Sequence, residues 1–111
     1  MRRLRAMARQ RKRLEWSRAA AREFIDGIAF IAADSPQGAS LVKGRIDRAA
    51  GFLCQHPRLG KPGAAIGTRE YPVPKTRYTL IYGESGEVVF ILHCWHQSRQ
   101  SNRDGTTDGE G

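Results

Sequence analysis

Cysteine is scarce. Cys54 and Cys94 are the only two in 111 residues. Two thiols cannot build the disulfide framework of a small secreted domain, nor a zinc site with the usual paired ligands. Reduced thiols are therefore expected. Long apolar runs are missing too, since nothing approaches the ~20 residues a membrane-spanning helix needs. The phosphate-cradling patterns GxxxxGK[ST] and GxGxxG are absent, and no His/Cys/carboxylate set has metal-ligand spacing. No Ser or Cys sits in a recognisable nucleophile turn. These absences argue against metalloenzymes and dinucleotide enzymes, and no cofactor is expected. Aromatics are few, with four Phe, three Tyr and two Trp. Even so, a 40% apolar content is too high for a chain disordered throughout. The length allows one domain with a modest core.

What is present in excess is positive charge. The net charge is +8, and residues 1–13 carry +7 of it, with Arg2, Arg3, Arg5, Arg9, Arg11, Lys12, Arg13 and no acid. Residues 101–111 set Arg103 against Asp104, Asp108 and Glu110, which leaves +3 for the body. A basic arm of this kind suits nucleic acid, because Lys and Arg release condensed counterions from phosphates. It equally suits a solvated tail, and Met7 offers an alternative start that would remove three of the arginines. A secretory leader is not expected, because Glu15, Arg18, Arg22 and Glu23 interrupt any apolar segment. The basic run is short for an organelle transit peptide. The expected organisation is a flexible basic extension over 1–11, one domain over 12–100 and a disordered polar tail over 101–111. The expected location is the cytoplasm.

Alternation of Leu14 and Trp16 with charged neighbours predicts a short edge strand over 12–16. Ser17 reads as the N-cap of a helix with an apolar stripe of Ala21, Phe24, Ile25, Ile28, Ile31 and Ala32. Asp34-Ser35-Pro36 ends it and starts a second helix, since Pro suits the first helical turn. The second stripe is Ala39, Val42, Ile46, Ala49, Ala50 and Leu53, and it stops at His56-Pro57. Residues 58–68 read as a loop. The period then changes to two. Strands are expected over Arg69–Val73, Arg77–Tyr82 and Glu87–Trp95, with Pro72 demoting the first toward an edge or bulge. Tyr78, Leu80 and Tyr82 should share the core face, and Cys94 should alternate with Leu92 and Phe90 as a small buried hydrophobe. The fold class is α+β: an αα-hairpin packed on one face of an antiparallel meander.

The polar residues of the C-terminal half are the candidates for chemistry: Arg69, Arg77, Tyr82, His93, His96 and Arg99. Neighbouring strands can bring them together on the exposed face of the sheet. A histidine moves protons near neutral pH and an arginine stabilises phosphate charge, which is what metal-free RNA cleavage requires. The plain alternatives are solvent-facing arginines and, for His93, a structural imidazole. Trp16 and Trp95 read as core or interface aromatics.

The ordered set Trp16-Ser17…Ala20-Ala21, Leu53…His56-Pro57, Gly67-Thr68-Arg69-Glu70, Tyr78-Thr79-Leu80-Ile81-Tyr82 and a last strand ending at His96 resembles the RelE/ParE toxins of type II toxin–antitoxin systems. The resemblance runs over about residues 12–99. It implies a bacterial toxin neutralised by a protein antitoxin whose disordered segment wraps the sheet and helices; a basic toxin should meet an acidic antitoxin. It also implies one of two mechanisms. RelE-like members cut mRNA on the ribosome with sheet cations and a C-terminal Arg and Tyr. ParE-like members poison DNA gyrase without chemistry of their own. Here the RelE-type cation positions fall on Thr79, Glu70 and Pro72, and no tyrosine follows Tyr82. The expectation is therefore a ParE-like or unassigned toxin acting on gyrase. The alternative is an mRNA endonuclease using His96, Arg99, Arg77 and Arg69. A second alternative is a non-toxic nucleic-acid-binding module using the basic arm. No membrane partner is expected.

Overall fold

The computed structural model describes residues 11–98. Arg99, the basic run before Arg11 and the polar tail lie outside those residues. Strand β1 (Arg13–Trp16) leads into helices α1 (Arg18–Asp34) and α2 (Pro36–Gln55). Strands β2 (Lys61–Pro62), β3 (Thr68–Pro72), β4 (Tyr78–Ser85) and β5 (Val88–His96) follow. The sheet order is β1-β5-β4-β3-β2. The expected antiparallel meander is β3-β4-β5. The edge strand joins it parallel to β5, with Arg13 opposite Val88 and Trp16 opposite Ile91, so the sheet as a whole is mixed. A two-residue strand, β2, also lies within the segment read as loop, opposite Glu70 and Arg69. Among the described residues, no helix is long and apolar enough to cross a membrane.

The serines place the helices. Ser17 Oγ accepts from Ala20 N at 2.9 Å and donates to Leu92 O at 2.9 Å, capping α1 while tying its start to β5. Ser35 accepts from Gly38 N at 2.9 Å as the cap of α2, with Pro36 in the first turn. One residue thus links the helices into a tight hairpin.

The core lies between the hairpin and one face of the sheet. Ile46, Ala50, Leu53, Leu80, Tyr82, Val89 and Ile91 have no exposed surface. Burying a side chain such as Leu53 or Ile46 contributes about 2–3 kcal/mol. The α2 stripe is as the periodicity predicts. The α1 stripe holds in part: Ala21, Phe24, Ile28, Ile31 and Ala32 are half-buried, with Phe24 and Ile31 packed on the core, but Ile25 is 66% exposed, and the fully buried positions of that helix are Ala20 and Gly27. Gly27 faces inward where Tyr78 fills the space. A Cβ on Gly27 would lie 2.5 Å from the Tyr78 hydroxyl.

The alternation expected along β5 is also corrected. Tyr82 stands opposite Ile91 but Ile81 stands opposite His93, so Leu92 is an extra residue. This bulge puts Cys94 on the core face with Ile91 and Val89, not with Phe90 and Leu92. Pro72 is the last residue of β3, beyond the reach of β2, where its missing N–H interrupts no ladder.

Candidate functional site

Among the described residues, the sequence candidates fall at separate places on the sheet; Arg99 lies outside those residues. Arg69 pairs with Tyr82 in the β3–β4 ladder, while His96 pairs with Tyr78. Tyr78 and Tyr82 are four residue steps apart along β4, about 13 Å at ~3.3 Å per residue. Arg77 precedes β4 at the His96 end. Its carbonyl accepts from Gln97 N at 2.7 Å, extending the ladder, and its side chain is exposed. Alternation directs Arg77 to the face opposite Tyr78 and His96. The His96 ring meets Tyr78 edge-on at 5.2 Å, and its Nδ1 accepts from Ser98 N at 3.2 Å.

Arg69 and Tyr82 hold the chain that leaves α2. Arg69 Nη1 donates to Gly60 O at 2.7 Å. The Tyr82 hydroxyl donates to Pro57 O at 2.7 Å and accepts from Gly60 N at 2.8 Å. Burial raises the Tyr82 pKa above its usual value, with the Gly60 bond and Arg69 pulling the other way. Gly60 permits the close approach. A Cβ there would lie 2.7 Å from Glu70 O and 2.8 Å from the Tyr82 ring.

His93 is held by Glu23, a residue that sequence reasoning passed over. Glu23, on α1, faces the part of β5 that β1 does not reach. Its carboxylate accepts from Cys94 N at 2.9 Å and from Trp95 Nε1 at 3.1 Å, and lies 3.1 Å from His93 Nδ1. An ionised carboxylate only accepts, so Nδ1 carries a proton. The His93 and Trp95 rings stack at 4.3 Å. Trp16 likewise stacks on Phe24 at 5.0 Å. Burial, then the negative charge of Glu23, pushes the Cys94 thiol up to about 12; burial also raises Cys54, against the pull of Arg11. Both cysteines are free and buried, with protonated thiols at neutral pH. Among the described residues, no group of three or more His, Cys, Asp or Glu is placed to hold a metal.

One concave surface among the described residues was not signalled by any motif. It is an open groove of about 520 Å³ between α2 and the β3–β4 turn, lined by Arg45, Arg48, Ala49, Phe52, Tyr71, Pro74 and Lys75. Arg45, Arg48 and Phe52 share one face of α2 at spacings of three and four residues. Arg45 Nη1 donates to Lys75 O at 3.1 Å, which ties the helix to the turn, and Lys75 takes a positive φ of 62° there. The floor is apolar, with Phe52 45% exposed. The rim carries three cations, and no acid lines the groove. Such a surface can receive an amphipathic segment with carboxylates on its flanks.

Comparison with family models matches residues 14–101 to the ParE toxin of the type II toxin–antitoxin system, parDE. Among solved structures, the chromosomal ParDE TA system from P. aeruginosa superposes with a TM-score of 0.68 at 21% identity. The match covers 78% of this chain and 97% of that one. At that identity the likeness speaks for the fold, two helices on a five-stranded sheet. Comparison by sequence with curated proteins gives no match. The family match takes in most of the chain, from within β1 past the end of β5, and the chain belongs to the ParE toxin family of type II toxin–antitoxin systems.

Proposed function

We propose that this chain arrests bacterial growth by binding an essential protein, DNA gyrase, and that an acidic antitoxin neutralises it through the α2 groove. Family membership implies a cognate antitoxin. The groove supports an acidic one, because Arg45, Arg48 and Lys75 line it without a matching carboxylate. Opposite charge speeds the encounter, and Phe52 and Tyr71 offer apolar area to seat an amphipathic helix.

One observation carries the preference for binding over chemistry. Arg69 is committed to the Gly60 carbonyl, about 13 Å along β4 from the His96 end. Phosphoryl transfer on RNA needs base, acid and cation around one phosphate. The separation of Arg69 from His96 and Arg77 favours a surface that binds. The test is pulse-labelling after inducing the chain in a host without antitoxin. Thymidine incorporation falling first is the expected result. Methionine incorporation falling first would instead restore His96, Arg77 and Arg99 as nuclease candidates.

A further inference from the structure

The segment from His56 to Gly67 joins α2 to β3, and its only regular structure is the two-residue β2. It is long beside the ~4–6 residues of most connections in compact domains. Hydrogen bonds pin it at several points. Tyr82 and Arg69 grip Pro57 and Gly60, Gly63 N donates to Thr68 O at 2.9 Å, and Thr68 N donates to Ala65 O at 3.1 Å. Gly63 has no room for a side chain, since a Cβ would lie 2.6 Å from Thr68 Oγ1.

This fixed loop presents apolar side chains to water. Ile66 is fully exposed and Leu59 is 45% exposed. Arg58 and Lys61 are exposed beside them, and among the described residues neither has an ion-pair partner. Residues 57–69 carry Arg58, Lys61 and Arg69 and no acid. Glu70 stands opposite Lys61 in register without forming a salt bridge. A backbone already fixed by hydrogen bonds loses little conformational entropy when the apolar side chains it presents are docked. They call for a recess of apolar atoms with a carboxylate rim, which is the surface of an acidic protein. None of these residues lines the α2 groove.

We infer that the 57–67 loop is the element with which this chain grips its protein target, Ile66 and Leu59 entering an apolar recess while Arg58 and Lys61 meet its acidic rim. The inference rests on the reading of the chain as a protein-binding toxin and locates the contact outside the antitoxin groove. The test compares the full chain with Ile66→Ser and Arg58→Glu for growth arrest in a bacterial host. Affinity for the antitoxin from the adjacent gene is measured on the same purified proteins, with circular dichroism as the check on folding. The expected result is a hundredfold or greater recovery of colony-forming units for both variants, with antitoxin affinity within twofold of the parent. Variants that arrest growth as fully as the parent overturn the loop assignment and leave the toxin reading standing. Antitoxin affinity falling together with growth arrest also overturns it, because the loop would then belong to the antitoxin site or to the fold. A parent that binds its antitoxin but never arrests growth overturns the toxin reading and the loop assignment with it. Tight binding of a labelled RNA that Arg58→Glu abolishes would replace the protein target with a nucleic acid.

Discussion

The Glu23 carboxylate accepts the backbone N–H of Cys94 at 2.9 Å, so a side chain from α1 finishes the edge of β5 where β1 ends. An open strand edge invites pairing with other chains, and helices are one way to cover it. Glu23 makes that cover specific by taking three donors of β5 at once, the Cys94 amide and the two rings flanking it.

Glu23→Ala should therefore destabilise the protein by about 2–3 kcal/mol, the cost of stranding donors bonded to a charged group. Glu23→Gln should cost less, since its carbonyl can still accept from Cys94. Urea unfolding followed by tryptophan fluorescence measures both, and equal losses would show that the charge, not the acceptor, matters at this edge.

Tyr82→Phe should cost about 1–3 kcal/mol, because the Gly60 amide and the Pro57 carbonyl lose a buried partner. Amide exchange should quicken at Gly60 before it changes in α1. Gly60→Ala should be worse than Tyr82→Phe, since the added methyl meets backbone as well as the ring.

The buried thiols set an alkaline limit. The Cys94 pKa rises from 9.0 to about 12, and Cys54 is also raised from 9.0. Above pH 9 the unfolded chain releases protons that the native state keeps. The contribution of Cys94 is thus complete below pH 9 and falls by about 1.4 kcal/mol per pH unit as pH climbs toward 12. Urea midpoints from pH 8 to 11 should fall accordingly. At pH 8 neither thiol should react with a maleimide until the protein unfolds.

Arg48→Glu reverses a charge on the rim of the groove without touching the core. Affinity for the antitoxin should fall about tenfold, ~1.4 kcal/mol. The loss should shrink as salt is raised, because exposed charges are screened. An affinity that is unchanged at low salt would move the antitoxin elsewhere on the surface.

The candidate site was less legible than the fold. Arg69, Arg77 and His96 were identified as polar residues of the sheet, but their faces and spacing depend on register. Register in turn depended on Leu92, a bulge that no residue type announces. Glu23 reads in sequence as one more charge interrupting an apolar helix, because its partners lie about 70 residues away. The α2 groove draws on residues from two distant segments, and only their packing makes Arg45, Arg48 and Lys75 neighbours.

By itself the sequence determined what depends on local spacing. Ser17 and Ser35 cap the helices, Pro36 and Pro57 bound the second one, and period-two stretches make the meander. It also carried the ordered pattern that resembles the toxin family. These features follow from backbone sterics and from the 3.6 and 2.0 periods, which act over a few residues. The tertiary structure alone decided that β1 pairs parallel to β5, that Ile25 faces water while Gly27 receives Tyr78, and that Arg69 grips the chain leaving α2. Each of those depends on which surfaces fill the space between hairpin and sheet. Close packing settles that for the whole domain at once.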